Sequence, residues 1–144
     1  MKTCLAAVAL PLVLMVTSLS SASATVRISD DRGGQIGDYL AKYHALRENG
    51  ERVMIDGTCA SACTMLLGVI PRNRICVTPR AVLAFHSAWT PTSEGEQISS
   101  AGNYYLWSNY PAAVRKWIIQ HGGLHTQIIY LRGPELAAMY PSCR

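Results

Sequence analysis

Val53-Met54-Ile55-Asp56-Gly57-Thr58-Cys59-Ala60-Ser61-Ala62-Cys63-Thr64-Met65-Leu66-Leu67 is the stretch whose reading decides the fold. Val53 to Ile55 is a short apolar run that stops at Asp56-Gly57. Small residues follow from Cys59 to Cys63, and an apolar segment then continues to Ile70. The pattern predicts a strand, a tight turn and a helix, with Ser61 at the mouth of the helix. A serine there serves as a helix cap or as a nucleophile, and the stretch alone leaves both open.

Working outward, Thr25 to Ser29 alternates as a strand does, and Asp30-Asp31-Arg32-Gly33-Gly34 breaks it. Ile36, Tyr39, Leu40, Tyr43 and Leu46 recur at helical spacing before Gly50. Strand, helix, strand, helix in close succession implies parallel strands in an α/β layer. Beyond Pro71 the sequence predicts short strands over 74–77 and 81–85, with His86 at the end of the second. Thr90 to Gly95 is a polar break. Helices are expected over 98–110 and from Pro111 to Gly122-Gly123, and then an amphipathic piece (127–131) and a short helix (135–139).

The chain has 144 residues, 49% of them apolar and 15% charged, which is the composition of one globular domain. The net charge of +4 is dispersed, which argues against a nucleic-acid partner. Residues 1–24 read as a secretory signal peptide: Lys2, an apolar core from Leu5 to Val16, and Ala22-Ser23-Ala24 as the cleavage site. The apolar core is short for a bilayer span, so no stable span is expected after cleavage. Residues 25–144 are then a single domain in the periplasm or outside the cell. In such a compartment Cys59, Cys63, Cys76 and Cys143 are expected to form two disulfides, in any of three pairings. Their spacing does not suit zinc, and no metal or cofactor is expected.

Chemistry requires a base for Ser61. His44 lies on an amphipathic helix, His121 sits at a helix end and His125 has no evident partner. His86 stands at a strand terminus, where catalytic groups gather in α/β folds. Gly33-Gly34 lets the backbone approach a ligand and present N–H groups to it.

Asp31-Arg32-Gly33-Gly34 before a helix, Gly57-x-x-Ala60-Ser61-Ala62 before a helix, and Arg74 to Pro79 running on to Phe85-His86 together resemble the ClpP/crotonase superfamily. The order, and the 25-residue spacing of Ser61 and His86, are similar to the Clp protease proteolytic subunit, and in particular to small exported ClpP-like proteins. The resemblance implies a reduced spiral of β-β-α units, with a mostly parallel sheet and flanking helices. It implies a serine hydrolase, most simply a peptidase, acting on a peptide or a small ester or amide. Ser61 would be nucleophile and His86 base, with the N–H groups of Ala62 and of Gly33 or Gly34 as oxyanion hole. The family's third member is an aspartate well after the histidine. Here residues 128–135 hold no Asp, and Glu135 is the one carboxylate in that place.

Two features set up alternatives. Cys59 and Cys63 flank Ser61, where a disulfide would rigidify or block the site, and a free thiol would itself be a nucleophile. Tyr104, Tyr105, Trp107 and Tyr110 would suit a catalytically inactive ClpP-like module that binds a partner, with homo-oligomerisation left open. A crotonase-type acyl-CoA enzyme would use the same oxyanion logic but fits poorly with export. Specificity is expected to come from the region 89–110.

Overall fold

A nine-residue strand, Arg52–Ala60 (β2), is the axis of the fold. The structure, a computed structural model, describes residues 24–144, so all but the last residue of the expected signal peptide lies outside it. Strand β1 (Thr25–Asp31) runs parallel to β2 along its length, joined to it through helix α1 (Ile36–Glu48). The other side of β2 is shared. Its first half pairs with β3 (Ile75–Val77) and its second half with β4 (Val82–Phe85), both parallel. Strand β7 (Ile129–Arg132) closes the far edge antiparallel to β4. The result is a mixed α/β architecture with a mostly parallel sheet and flanking helices.

Strand β2 is longer than expected. Asp56-Gly57 does not turn the chain, because both residues are accommodated within the sheet. The register of β1 against β2 shifts between Ile28 and Asp30. Gly57 faces that irregularity so closely that a Cβ on it would fall 1.7 Å from the Ser29 carbonyl oxygen. Asp56 is buried, yet its carboxylate is met by the Arg27 and Arg80 guanidinium groups and by the Thr78 hydroxyl (2.7 Å). A buried carboxylate requires such partners.

The helix expected over 61–70 forms as two short pieces, a 3-10 turn (Ser61–Met65) and helix α2 (Leu66–Val69). A 3-10 turn leaves carbonyls poorly paired, and here side chains satisfy three of them. The Thr64 hydroxyl donates to Ser61 O (2.6 Å), the Tyr43 hydroxyl to Cys63 O (2.9 Å) and the Asn109 amide to Met65 O (2.6 Å). The core lies between sheet and helices around Tyr43, Met65, Leu83, Phe85 and Ile118.

Beyond β4 the polar break becomes a hairpin, β5 (Trp89–Thr92) and β6 (Gly95–Ile98), whose residues are all exposed. Ser99 caps helix α3 (Ser100–Asn109) by accepting from the Gly102 N–H at 3.0 Å. Helix α4 (Ala112–Gln120) follows Pro111, as expected, and places Val114, Trp117 and Ile118 in the core. The amphipathic piece over 127–131 resolves as β7, and Pro134 opens helix α5 (Gly133–Met139).

The two disulfides are Cys59–Cys63 and Cys76–Cys143. The second pins the C-terminal tail beside β3, where the Val77 and Cys143 N–H groups also bond across.

Candidate active site

Three chain segments converge at the carboxyl end of β2. Ser61 follows β2 directly, His86 follows β4, and Gly33-Gly34 follows β1. Ser61, His86, Gly33 and Gly34 line one cleft of about 490 Å³, with Arg32 at its rim.

Ser61 is the one non-glycine residue with positive φ (+55°) among the described residues. A side chain in the left-handed region costs on the order of 1 kcal/mol and persists only where its surroundings enforce it. Here β2 holds one side of Ser61, and the 3-10 turn, with its three capped carbonyls, holds the other. Ala60 is the residue that caps the turn, and no side chain bonds to the turn's N-terminal N–H groups. The capping role open to Ser61 in the sequence is therefore not the one it takes. Its hydroxyl makes no hydrogen bond among the described residues, and Ser61 lines the cleft together with His86 without a bond between the two.

Beneath Ser61 the Cys59–Cys63 bond closes the turn. Both cysteines are fully buried, and neither lines the cleft. The disulfide braces the turn from the core side and leaves no free thiol beside Ser61.

His86 is half-buried. Its Nδ1 lies 2.8 Å from the Ser87 carbonyl oxygen. A carbonyl only accepts, so Nδ1 is the donor in this contact, and the neutral ring has its lone pair on Nε2. This main-chain contact orients the ring in the manner that a carboxylate does elsewhere. Glu135 is exposed in the first turn of α5 and does not line the cleft. The structure does not bring it to His86.

Gly33 (φ +83°) is packed against the Ser61 bend: a Cβ on it would fall 2.6 Å from Ala60 O, 2.8 Å from Ser61 Cβ and 2.9 Å from Ala62 N. Only glycine permits that approach in that conformation. Its N–H is engaged, donating to Asp31 Oδ1 at 2.9 Å. The same oxygen accepts from the Tyr39 hydroxyl at 2.5 Å, and the Lys42 ammonium lies 3.6 Å from Oδ2. Burial, reinforced by Asp31, pushes the Tyr39 hydroxyl up to about 12, so it stays a donor. Asp31 and Tyr39 thus clamp the glycine loop. Of the two glycines, Gly34 keeps an N–H that bonds to no described group. The Ala62 N–H precedes the first bond of the 3-10 turn and is likewise unspent.

Sequence reasoning did not single out Asp31, Tyr39 or Ser87 O. Asp31 stands two residues before Gly33 and had a local signal, the short Asp-to-backbone turn. Ser87 O had none. The four aromatics considered as one contact face divide. Tyr104 and Tyr105 are exposed, Trp107 is half-buried, and Tyr110 is in the core, hydrogen-bonded to Thr64 (2.7 Å). Among the described residues no cluster of three or more His, Cys, Asp or Glu is arranged to hold a metal, and no helix is long and apolar enough to cross a membrane.

The mixed α/β architecture is similar to the ClpP fold. Among solved structures the chain is similar to a mutant of ClpP1 from Listeria monocytogenes, with a TM-score of 0.52 and 13% sequence identity, over 80% of this chain and 68% of that one. At that identity the likeness is one of fold. No protein-family model and no curated protein matches the chain.

Proposed function

We propose that this protein is an exported serine hydrolase of the reduced ClpP/crotonase-like spiral type, cleaving peptides or small esters and amides. One observation carries the reading: Ser61 is held in a strained left-handed bend, without a capping bond, in the cleft that also holds His86 and the glycine loop. Strain enforced at a nucleophile-bearing bend is what acyl-transfer sites use to present a hydroxyl.

In this mechanism Ser61 Oγ attacks the substrate carbonyl while His86 Nε2 takes its proton. The N–H groups of Ala62 and Gly34 receive the oxyanion. His86 then protonates the leaving group, and water, deprotonated by the same nitrogen, releases the acyl group. Ser87 O holds the imidazole in its tautomer and leaves the site a Ser-His pair, with Glu135 unused. Export is supported by two disulfides, which persist in oxidising compartments. The proposal places the protein in the periplasm or outside the cell.

The test is labelling of the oxidised protein by a fluorophosphonate probe. Wild type is expected to label, and Ser61→Ala and His86→Ala are expected not to. Labelling that survives Ser61→Ala overturns the proposal. Exposed Tyr104 and Tyr105 on α3 favour a second reading, a non-catalytic module that binds a partner or a second copy. An unlabelled but folded wild type selects it.

A further inference from the structure

A second pocket of about 370 Å³ adjoins the cleft and shares His86 and Trp89 with it. Its walls are apolar: Trp89, Ile98 and Ile128 are all large side chains left 40–47% exposed. Three oxygen-bearing side chains complete it, Glu96, Thr126 and Ser87. Ser87 is 97% buried, and its hydroxyl has no hydrogen-bond partner. Its oxygen has essentially no exposed surface, so the polar side chains within a ligand's reach are Glu96, Thr126 and His86.

Besides His86, the polar side chains a ligand can reach are the Glu96 carboxylate and the Thr126 hydroxyl, both of which accept. No lysine or arginine lines it, and none occurs anywhere from Ala81 to Val114, where Glu94 and Glu96 are the only carboxylates. In a chain of net charge +4 the stretch 81–114 carries two negative charges and no positive side chain of Lys or Arg. A primary ammonium has three donors and no acceptor, and its methylene stem packs on apolar walls while the head reaches polar groups. We infer that this pocket takes a lysine side chain of the substrate, next to the bond that is cut. The stem lies against Trp89, Ile98 and Ile128, and the ammonium meets Glu96 and Thr126. The inference rests on the hydrolase reading and names its substrate class: peptides bearing lysine beside the scissile bond.

The test is a set of alanine-based octapeptides carrying one Lys, norleucine or Glu at each position in turn. With the oxidised protein at low salt, kcat/KM is expected to favour Lys over norleucine at one position by about two- to fivefold, the range of a solvent-exposed ion pair. Glu96→Gln should bring that ratio near one, and Glu96→Lys should transfer the preference to Glu. A flat scan, or a Lys preference that persists in Glu96→Gln, overturns the inference while leaving the hydrolase reading intact. If no peptide is cleaved, the hydrolase reading has failed, and binding of the same peptides to Ser61→Ala, measured by calorimetry, decides the pocket. Tighter binding of a Lys peptide than its norleucine twin, lost in the Glu96→Gln double variant, supports it. Equal binding overturns it.

Discussion

Ser61 shows how a single backbone angle separates two roles for one residue type. A capping serine has extended backbone and bonds to its own helix. Ser61 has φ +55° and no such bond, so the conformation is a cost that the fold bears. Replacing Ser61 by Gly removes that cost, whereas Ala retains it. Ser61→Gly is expected to be about 1 kcal/mol more stable than Ser61→Ala in denaturant unfolding, and neither should label. Gly33→Ala should be more damaging, because its Cβ meets backbone at 2.6 Å with nowhere to move. A loss of roughly 1–3 kcal/mol and of labelling is expected. Asp31 acts through Gly33. Asp31→Ala should slow probe labelling by roughly tenfold or more with circular dichroism unchanged, since small misplacements of oxyanion donors cost large factors. Normal labelling in Asp31→Ala would show that the clamp is irrelevant.

At the scale of elements, the site depends on a short 3-10 turn that borrows its rigidity. Its carbonyls are held by Tyr43 of α1, Asn109 of α3 and its own Thr64, and a disulfide closes it from below. Helix α3 approaches α2 so closely that a Cβ on Gly68 would fall 1.6 Å from Asn109 O. Gly68→Ala should therefore push α3 away, break the Asn109 bond to Met65 O, and lower both stability and labelling. Stability unchanged in thermal melting would refute this account. The disulfides should differ in weight. In the chain-entropy model, removing Cys59–Cys63 with its short loop costs about 2 kcal/mol, and removing Cys76–Cys143, with a sequence separation of 67, about 4 kcal/mol. Guanidinium unfolding of the paired Cys→Ser variants measures both.

For the whole molecule, one buried charge ties the sheet together. Asp56 on β2 is met by Arg27 of β1 and by Thr78 and Arg80 from the loop between β3 and β4. Its hydrogen bonds to Arg80, then Thr78, hold the carboxyl well below the usual carboxylate range. A carboxylate whose folded pKa is depressed contributes stability that is fully present above its unfolded value, about 4, and is lost as pH falls further. The melting temperature is expected to be level from pH 5 to 7 with respect to Asp56 and to fall below about pH 4. Asp56→Asn should melt lower at neutral pH and show a shallower acid decline. Parallel acid declines in the two proteins would assign the effect to other groups.

The sequence by itself determined the order of the parts. Apolar alternation and helical spacing located β1, α1, β3, β4 and α4, because those signals are local. The sequence also placed Gly33-Gly34 and His86 after strands and Ser61 at a strand-to-helix turn. Parallel strands send such ends to the same edge of a sheet, which is why the three meet in one cleft. What the sequence could not determine depended on partners distant along the chain. Asp56-Gly57 read as a turn, since a charge and a glycine usually end a strand. Only Arg27 of β1, Arg80 of the β3–β4 loop and the irregularity at Ser29 keep them in β2. The cysteine pairing, the exposure of Glu135 and the burial of Tyr110 were likewise tertiary outcomes. So was the state of Ser61: its residue type allowed a cap or a presented hydroxyl, and the choice was made by φ, which the strand on one side and the braced turn on the other impose.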